Sequence, residues 1–173
     1  MIKTINLFRL LVIMIALPVA IPGALADVRL GLGVNYWKTL DDIKADDFDE
    51  DGLSWIISAQ FGLTEWSKLE LAVERFDKGF GGATKEVYAP QAFIIIGKGI
   101  YAGAGVGGYY SDGDWSSDPF FALRAGINFE ILPSLFLDIN ANYRFESWDD
   151  LSDEGKNIDS DTVTLGAAVR IEF

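Results

Sequence analysis

The chain has no cysteine and no histidine among its 173 residues. Without cysteine there are no disulfides and no thiolate metal sites, whatever the redox compartment. Without histidine the most frequent general base of hydrolytic sites is missing. A Ser–Lys or carboxylate dyad is formally left, but Ser54 and Ser58 stand apart from the lysines, which cluster at loops and turns, so the chain reads as non-enzymatic. Basic residues are few: 14 against 26 acidic ones. Only Lys3 and Arg9 precede residue 27 and no acid does, so residues 27–173 carry 12 − 26 = −14, which opposes nucleic-acid binding. Long apolar runs are also scarce. The longest, Leu10 to Ile21, is interrupted by Pro18 and followed by Pro22, and it falls short of the roughly 20 residues a membrane-spanning helix needs.

That run has a different meaning. Lys3 and Arg9 before it and Ala24-Leu25-Ala26 after it have the layout of a cleavable secretory signal over 1–26, with Asp27 as the first mature residue. Residues 27–173 have the length of one domain.

What fills that domain is period-2 alternation, the mark of strands with one apolar face. The last segment is the plainest: Val163, Leu165, Ala167, Val169, Ile171 and Phe173 alternate with Thr164, Gly166, Ala168, Arg170 and Glu172. Seven more segments precede it, over 28–36, 53–61, 68–76, 87–96, 100–110, 120–131 and 135–146. Arg75 falls on the apolar face of the third, which predicts a bulge or the water boundary there. Pro90 makes the fourth the least regular, because it brings no N–H to a ladder.

The connections alternate too. Short ones fall at Thr64–Ser67, Gly97–Gly99 and Leu132–Ser134, and long ones at Thr39–Gly52, Asp77–Glu86, Ser111–Asp118 and Ser147–Asp161. The expected fold is all-β: an eight-stranded antiparallel up-and-down transmembrane β-barrel with short periplasmic turns and longer extracellular loops. A soluble barrel of the lipocalin or streptavidin kind shows the same alternation with its apolar face inward. Three features favour lipid outside. The face of the fifth segment formed by Tyr101, Gly103, Gly105, Gly107 and Tyr109 suits a crowded interior better than a water-facing sheet. Aromatics gather near strand ends: Tyr36, Trp37, Trp55, Tyr88, Tyr110, Phe121, Tyr143, Phe145 and Trp148 toward the long loops, and Phe61, Trp66, Phe129, Phe136 and Phe173 toward the turns. These form two expected interfacial girdles. The chain also stops within its last strand.

The segments YAGAGVGGYY (101–110), PFFALRAGINFEI (119–131), LFLDINANYRF (135–145) and VTLGAAVRIEF (163–173) resemble the small outer-membrane β-barrel family, the broad group of OmpX-like, OmpW-like and porin-family proteins of Gram-negative envelopes. The resemblance is one of pattern and covers the whole of 27–173. It implies a cell-outer-membrane location, lipid and lipopolysaccharide as neighbours, and the barrel-assembly machinery as partner during biogenesis. It also implies that Leu165, Val169, Ile171 and Phe173 form the assembly signal, and a monomer is expected.

Eight strands leave an interior that side chains just fill. The inward charges expected there are Glu74, Arg124, Arg144 and Glu146 toward the loops, and Arg29, Glu70, Glu130, Asp138, Arg170 and Glu172 toward the turns. Confined charges must pair, so two tiers of ion pairs and a plugged interior are expected. Such a lumen argues against a hydrophobic conduit of the OmpW type, which calls for apolar inward positions. The first and fourth long loops are acidic. Asp47, Asp49, Asp51 and Gly52 repeat the opening of a calcium loop, but its twelfth position is Ser58, not the bidentate Glu. The plain reading is a solvated acidic rim; the sharper one is weak Ca²⁺ or Mg²⁺ binding at Asp47, Asp49 and Asp51, bridging to lipopolysaccharide phosphates. No other cofactor is expected. The function expected is an envelope-structural or surface-interaction role carried by the loops, with a small porin-like channel as the alternative and a soluble periplasmic ligand-binding barrel as the weaker one.

Overall fold

The computed structural model describes residues 27–39, 51–116, 118–145 and 161–173. Outside them lie the expected signal segment, Asp47 and Asp49 of the expected cation site, Glu146 and Trp148. The described strands are β1 (Val28–Thr39), β2 (Asp51–Gly62), β3 (Ser67–Phe76), β4 (Val87–Gly97), β5 (Ile100–Gly107), β6 (Tyr110–Ser111), β7 (Asp114–Trp115), β8 (Phe120–Leu132), β9 (Leu135–Phe145) and β10 (Thr162–Glu172). Eight of them run antiparallel in the order β3-β2-β1-β10-β9-β8-β5-β4, and β3 pairs with β4 to close the ring. The result is an eight-stranded up-and-down β-barrel. Its seam joins the first strand to the last, from Arg29 opposite Glu172 to Thr39 opposite Thr162.

Alternation sets the two faces. Ile57, Leu32, Val169, Leu137 and Phe129 are register partners in sequence around five strands, forming one apolar row on the outside. Leu32, Trp55, Ile127, Leu165 and Ile171 are each about half exposed, whereas Glu70, Glu74, Asp138, Arg144 and Arg170 are buried. This inverts the arrangement of a barrel in water. A closed ladder with an apolar exterior leaves no backbone group unpaired against hydrocarbon, the condition a bilayer imposes. Among the described residues no helix is long and apolar enough to cross a membrane; the strands carry the apolar surface.

Several local expectations change. Arg75 sits in unbroken register between Trp55 and Tyr88, at the water boundary, where it pairs with Glu86 and with Asp77 at 3.4 Å. The bulge lies elsewhere, between Glu130 and Leu132 of β8. Pro90 is accommodated inside β4 because the β4–β5 ladder ends at Gln91 opposite Gly107. The Pro90 carbonyl takes a last bond from the Gly108 N–H at 3.1 Å, so its missing N–H falls where that ladder is released. The fifth strand stops at Gly107 rather than running to Tyr110. Beyond it β6 and β7 form a two-pair hairpin turning at Asp112 (φ 54°) and Gly113 (φ 95°). Asp-Gly is the residue pair a type I′ turn calls for.

The glycine-rich face of β5 has a specific use. A Cβ on Gly105 would meet the Phe93 ring at 2.5 Å, one on Gly126 would meet Tyr101 at 2.5 Å, and Phe120 lies as closely over Gly107. These rings lie flat against bare backbone, which is how aromatics fit inside so narrow a barrel.

Candidate functional site

Inward polar residues from all eight barrel strands converge on three buried carboxylates. Glu74 of β3 accepts from Asn35 Nδ2 at 2.7 Å, Gln91 Nε2 at 3.4 Å, Ser54 and the Arg144 guanidinium. Glu70, two inward positions below on the same strand face, accepts from Gln60 Nε2 at 2.6 Å and pairs with Arg124 and, at 3.0 Å, with Arg170. Asp138 accepts from Tyr101 Oη at 3.0 Å, Asn128 Nδ2 at 3.2 Å and Asn140 Nδ2 at 2.7 Å, with the Arg170 Nε at 3.6 Å. Asn142 links the levels by donating to Asn140 at 2.9 Å and to Thr164 at 2.8 Å while accepting from Arg124. Three carboxylates thus meet three guanidiniums, Arg124, Arg144 and Arg170, all shut off from solvent. Buried ions of opposite sign in equal number avoid the large desolvation cost of an unpaired charge.

The pairs cross the barrel. In the ring order β9 stands four strands from β3 in either direction, so Arg144 and Glu74 join across the full diameter. Arg124 of β8 and Arg170 of β10 reach Glu70 from three strands away on either side. Interior groups held this way are paired across the barrel and shut off from solvent.

The site residues expected from the sequence are distributed as follows. Glu70, Glu74, Asp138, Arg144 and Arg170 face inward and are buried together. Arg124 does too, but its partner is Glu70, not the Glu74–Arg144 level: Arg124 is in register with Asn142, one inward position below Arg144, which faces Ala122. Arg29 lies at the turn-side mouth, bonded to Glu172 at 2.5 Å and stacked at 3.8 Å over the Phe136 ring. Glu130 is not in the lumen. It lies at the turn-side end of β8, where its exposed carboxylate takes the Ser134 N–H at 3.0 Å. Leu165, Val169 and Ile171 point outward from β10, and Phe173 follows exposed at its end, its N–H donated to the Val28 carbonyl at 2.9 Å. Asp51 opens β2 and accepts from the Tyr36 hydroxyl at 2.7 Å.

The girdle expectation also needs correction. Tyr36, Trp55, Trp66, Phe129 and Phe173 are exposed, but Trp37, Phe61 and Phe145 are buried and Phe136 turns inward beneath Arg29. Trp37 belongs to an interior aromatic layer at the loop end that the polar reading of the lumen missed. Its ring centroid lies 4.8 Å from Phe80 and 6.1 Å from Phe76, Phe76 stacks on Phe80 at 3.9 Å, and Tyr109 continues the layer to Phe120 at 4.7 Å. Trp37 and Phe76 sit at inward parity, so their place was readable; Phe80 sits in a loop where parity says nothing. Phe80, Tyr109 and Phe120 of this layer, with Arg144, are among the lining of a cavity of about 440 Å³ at the loop end.

No family model matches the chain, and no curated protein does. Solved structures do. Neisserial surface protein A aligns at 18% identity and a TM-score of 0.59, covering 84% of this chain and 97% of that one. The N-terminal β-barrel domain of Pseudomonas aeruginosa OprF aligns at 12% identity and a TM-score of 0.52, covering 84% and 97%. At these identities the likeness concerns architecture: the chain has the fold of the small eight-stranded outer-membrane β-barrels.

Proposed function

We propose that the protein is an integral outer-membrane barrel with an envelope-structural or surface-interaction role, non-enzymatic, and closed to solutes through its middle. The observation that carries this reading is the cross-barrel network. Its ion pairs span the diameter, and its members are buried, so a conducting path would have to break pairs whose separation costs several kcal/mol. The apolar exterior supports the membrane setting, and the loops above a rigid barrel are where a surface role would reside.

Single-channel recording of refolded protein in planar bilayers tests closure. The expected result is a silent membrane; steady ohmic conductance from the monomer would overturn it. Partition into the detergent-extracted outer membrane with heat-modifiable gel migration is expected for the membrane barrel, whereas recovery in the soluble periplasm would favour a soluble one. The terminal strand is proposed as the assembly signal, with Phe173 as its last element. Deleting Phe173 should lower outer-membrane levels severalfold with export intact; unchanged levels would remove that role.

A further inference from the structure

We infer that the turn-side mouth of the barrel is a binding site for a phosphodiester monoanion, held by Lys68 and flanked by Lys98. The inference goes beyond the closed-barrel reading and does not depend on it.

The barrel interior has one cation more than its ion pairs use. Arg29 pairs with Glu172, Arg124 with Glu70, Arg144 with Glu74, and Arg170 with Glu70 at 3.0 Å and with Asp138 at 3.6 Å, so four arginines meet four carboxylates. Lys68 is the fifth cation. It shares the inward face of β3 with Glu70 and lies in register with Gly62 on one side and Ile95 on the other, neither of which offers a polar side chain. Among the described residues its ammonium has no hydrogen bond and no ion pair. Arg29 and Arg170 repel it more strongly than Glu172 and Asp27 attract it. A half-buried cation in such surroundings is costly to leave without an anion.

This cation opens onto a cavity. Lys68 lines a space of about 400 Å³ together with Arg29, Lys98, Gly99, Asn128 and Phe136, and that volume falls in the range of small-molecule sites. All three turns at this end, 63–66, 98–99 and 133–134, are described. Asp27 also lines the space, but its carboxylate lies over Gly62, with Oδ2 3.7 Å from where a Cβ of that glycine would stand, and makes no ion pair with Lys68. Residues 1–26, the expected signal, join the described chain at Asp27, so the exported protein is the form to test.

Charge and donor type set the ligand. Arg29 with Glu172, and Lys98 with Glu65 at 3.5 Å, are neutral pairs, and Asp27 adds a negative charge to the lining, so Lys68 leaves room for one negative charge and not two. The Lys98 pair is exposed and weak, which leaves that ammonium able to donate from beside the Trp66 ring, 4.9 Å from its centroid. The donors on offer are thus ammoniums. Each acts as a point charge with rotatable N–H groups, which suits tetrahedral phosphate oxygens, whereas a planar carboxylate is best met by an arginine fork. A phosphate diester carries one charge on such oxygens, and a monoester carries close to two. Phospholipid headgroups and soluble glycerophosphodiesters share this chemistry.

The test is titration calorimetry on the protein extracted from outer membranes, delipidated and held in a phosphate-free maltoside detergent, with three probes: glycerophosphoglycerol, neutral diglycerol, and the dianion glycerol 3-phosphate. The diester is expected to bind at one per barrel, at least ten-fold tighter than either comparator. Lys68→Met keeps the stem and removes the charge without orphaning a partner, and saturable diester binding should be lost. Lys85→Met, at the opposite end of the barrel, should bind as the unmodified protein does. A short-chain phosphatidylglycerol at one per barrel separates the sources: displacement of the diester supports a lipid headgroup, undisturbed binding supports a soluble diester, and the site stands in both cases. Absence of saturable diester binding, equal affinity for diglycerol, tighter binding of the dianion, undiminished binding in Lys68→Met, or loss of binding in Lys85→Met would each overturn the proposal. Should Lys68→Met fail to fold, Lys68→Gln and the probe comparison decide it.

Discussion

The lumen has two storeys built on the same inward positions, and they obey different rules. In the middle, Glu70, Glu74, Asp138 and their arginines are buried and paired across the barrel, so each charge is met by its complement in the opposite wall. At the loop end the inward positions are taken by Trp37, Phe76 and Phe120, joined by Phe80 from a loop, and their rings pack edge to face and stack without needing partners of fixed polarity. The charged storey tolerates no vacancy. The aromatic storey tolerates one, the cavity lined by Phe80, Tyr109, Phe120 and Arg144. Rigidity and spare volume are therefore segregated along the barrel axis, with Arg144 as the residue shared by both.

The sharpest way to break this contrast is to strip one partner from the charged storey. Glu74→Ala leaves Arg144 buried and uncompensated and should cost about 3–5 kcal/mol, read as a lower urea midpoint for the refolded barrel and loss of heat-modifiable migration. The double replacement Glu74→Gln with Arg144→Met should recover much of that loss, since both charges go together; a double variant as unstable as the single would mean the pair is not a unit. The matching change upstairs is smaller. Phe80→Ala removes a ring stacked on Phe76 but leaves no unpaired polar group, so about 1.5–3 kcal/mol is expected, with the middle network and the silent lumen unaffected. The smallest effect lies at the water-exposed rim. The Arg75 guanidinium and the Tyr88 hydroxyl donate to Glu86 and hold its carboxyl below the usual carboxylate range. A depressed folded value stabilises above the ordinary carboxylate range and ceases to do so as pH falls through the lowered value. Glu86→Gln should therefore lower the unfolding midpoint slightly at neutral pH and leave it unchanged at acid pH, so that the acid limb of the midpoint-against-pH profile flattens.

The strands and their faces were legible because period 2 is a local property: once Val163 to Phe173 alternate, their two surfaces are known. The closure of the barrel was legible from the alternation of connection lengths. The pairing inside it was not. Which level Arg124 occupies depends on the stagger between neighbouring strands, set by β8–β9 register, and counting from strand ends placed it with Glu74 when its partner is Glu70. Glu130 lies exposed at the turn-side end of β8, where strand parity does not tell lumen from rim. The aromatic storey was partly hidden by Phe93 to Ile96, an unbroken apolar run whose inward parity only Gln91, two residues before it, marked, and by Phe80, which enters from a loop. The Asp112-Gly113 hairpin carried its signal openly, in a segment read by length alone.

The Glu74–Arg144 pair has one more consequence. The two residues are separated by 70 positions in sequence and, in an unrolled sheet, by four strand spacings, roughly 19 Å, beyond the reach of any two side chains. No flat or partly zipped arrangement of these strands can collect that interaction, however many ladder bonds it has formed. Its free energy accrues only to curvature, at the moment the first and last strands meet. It therefore separates the finished cylinder from every open precursor by more than the seam's own hydrogen bonds, and makes closing the ring an all-or-none event.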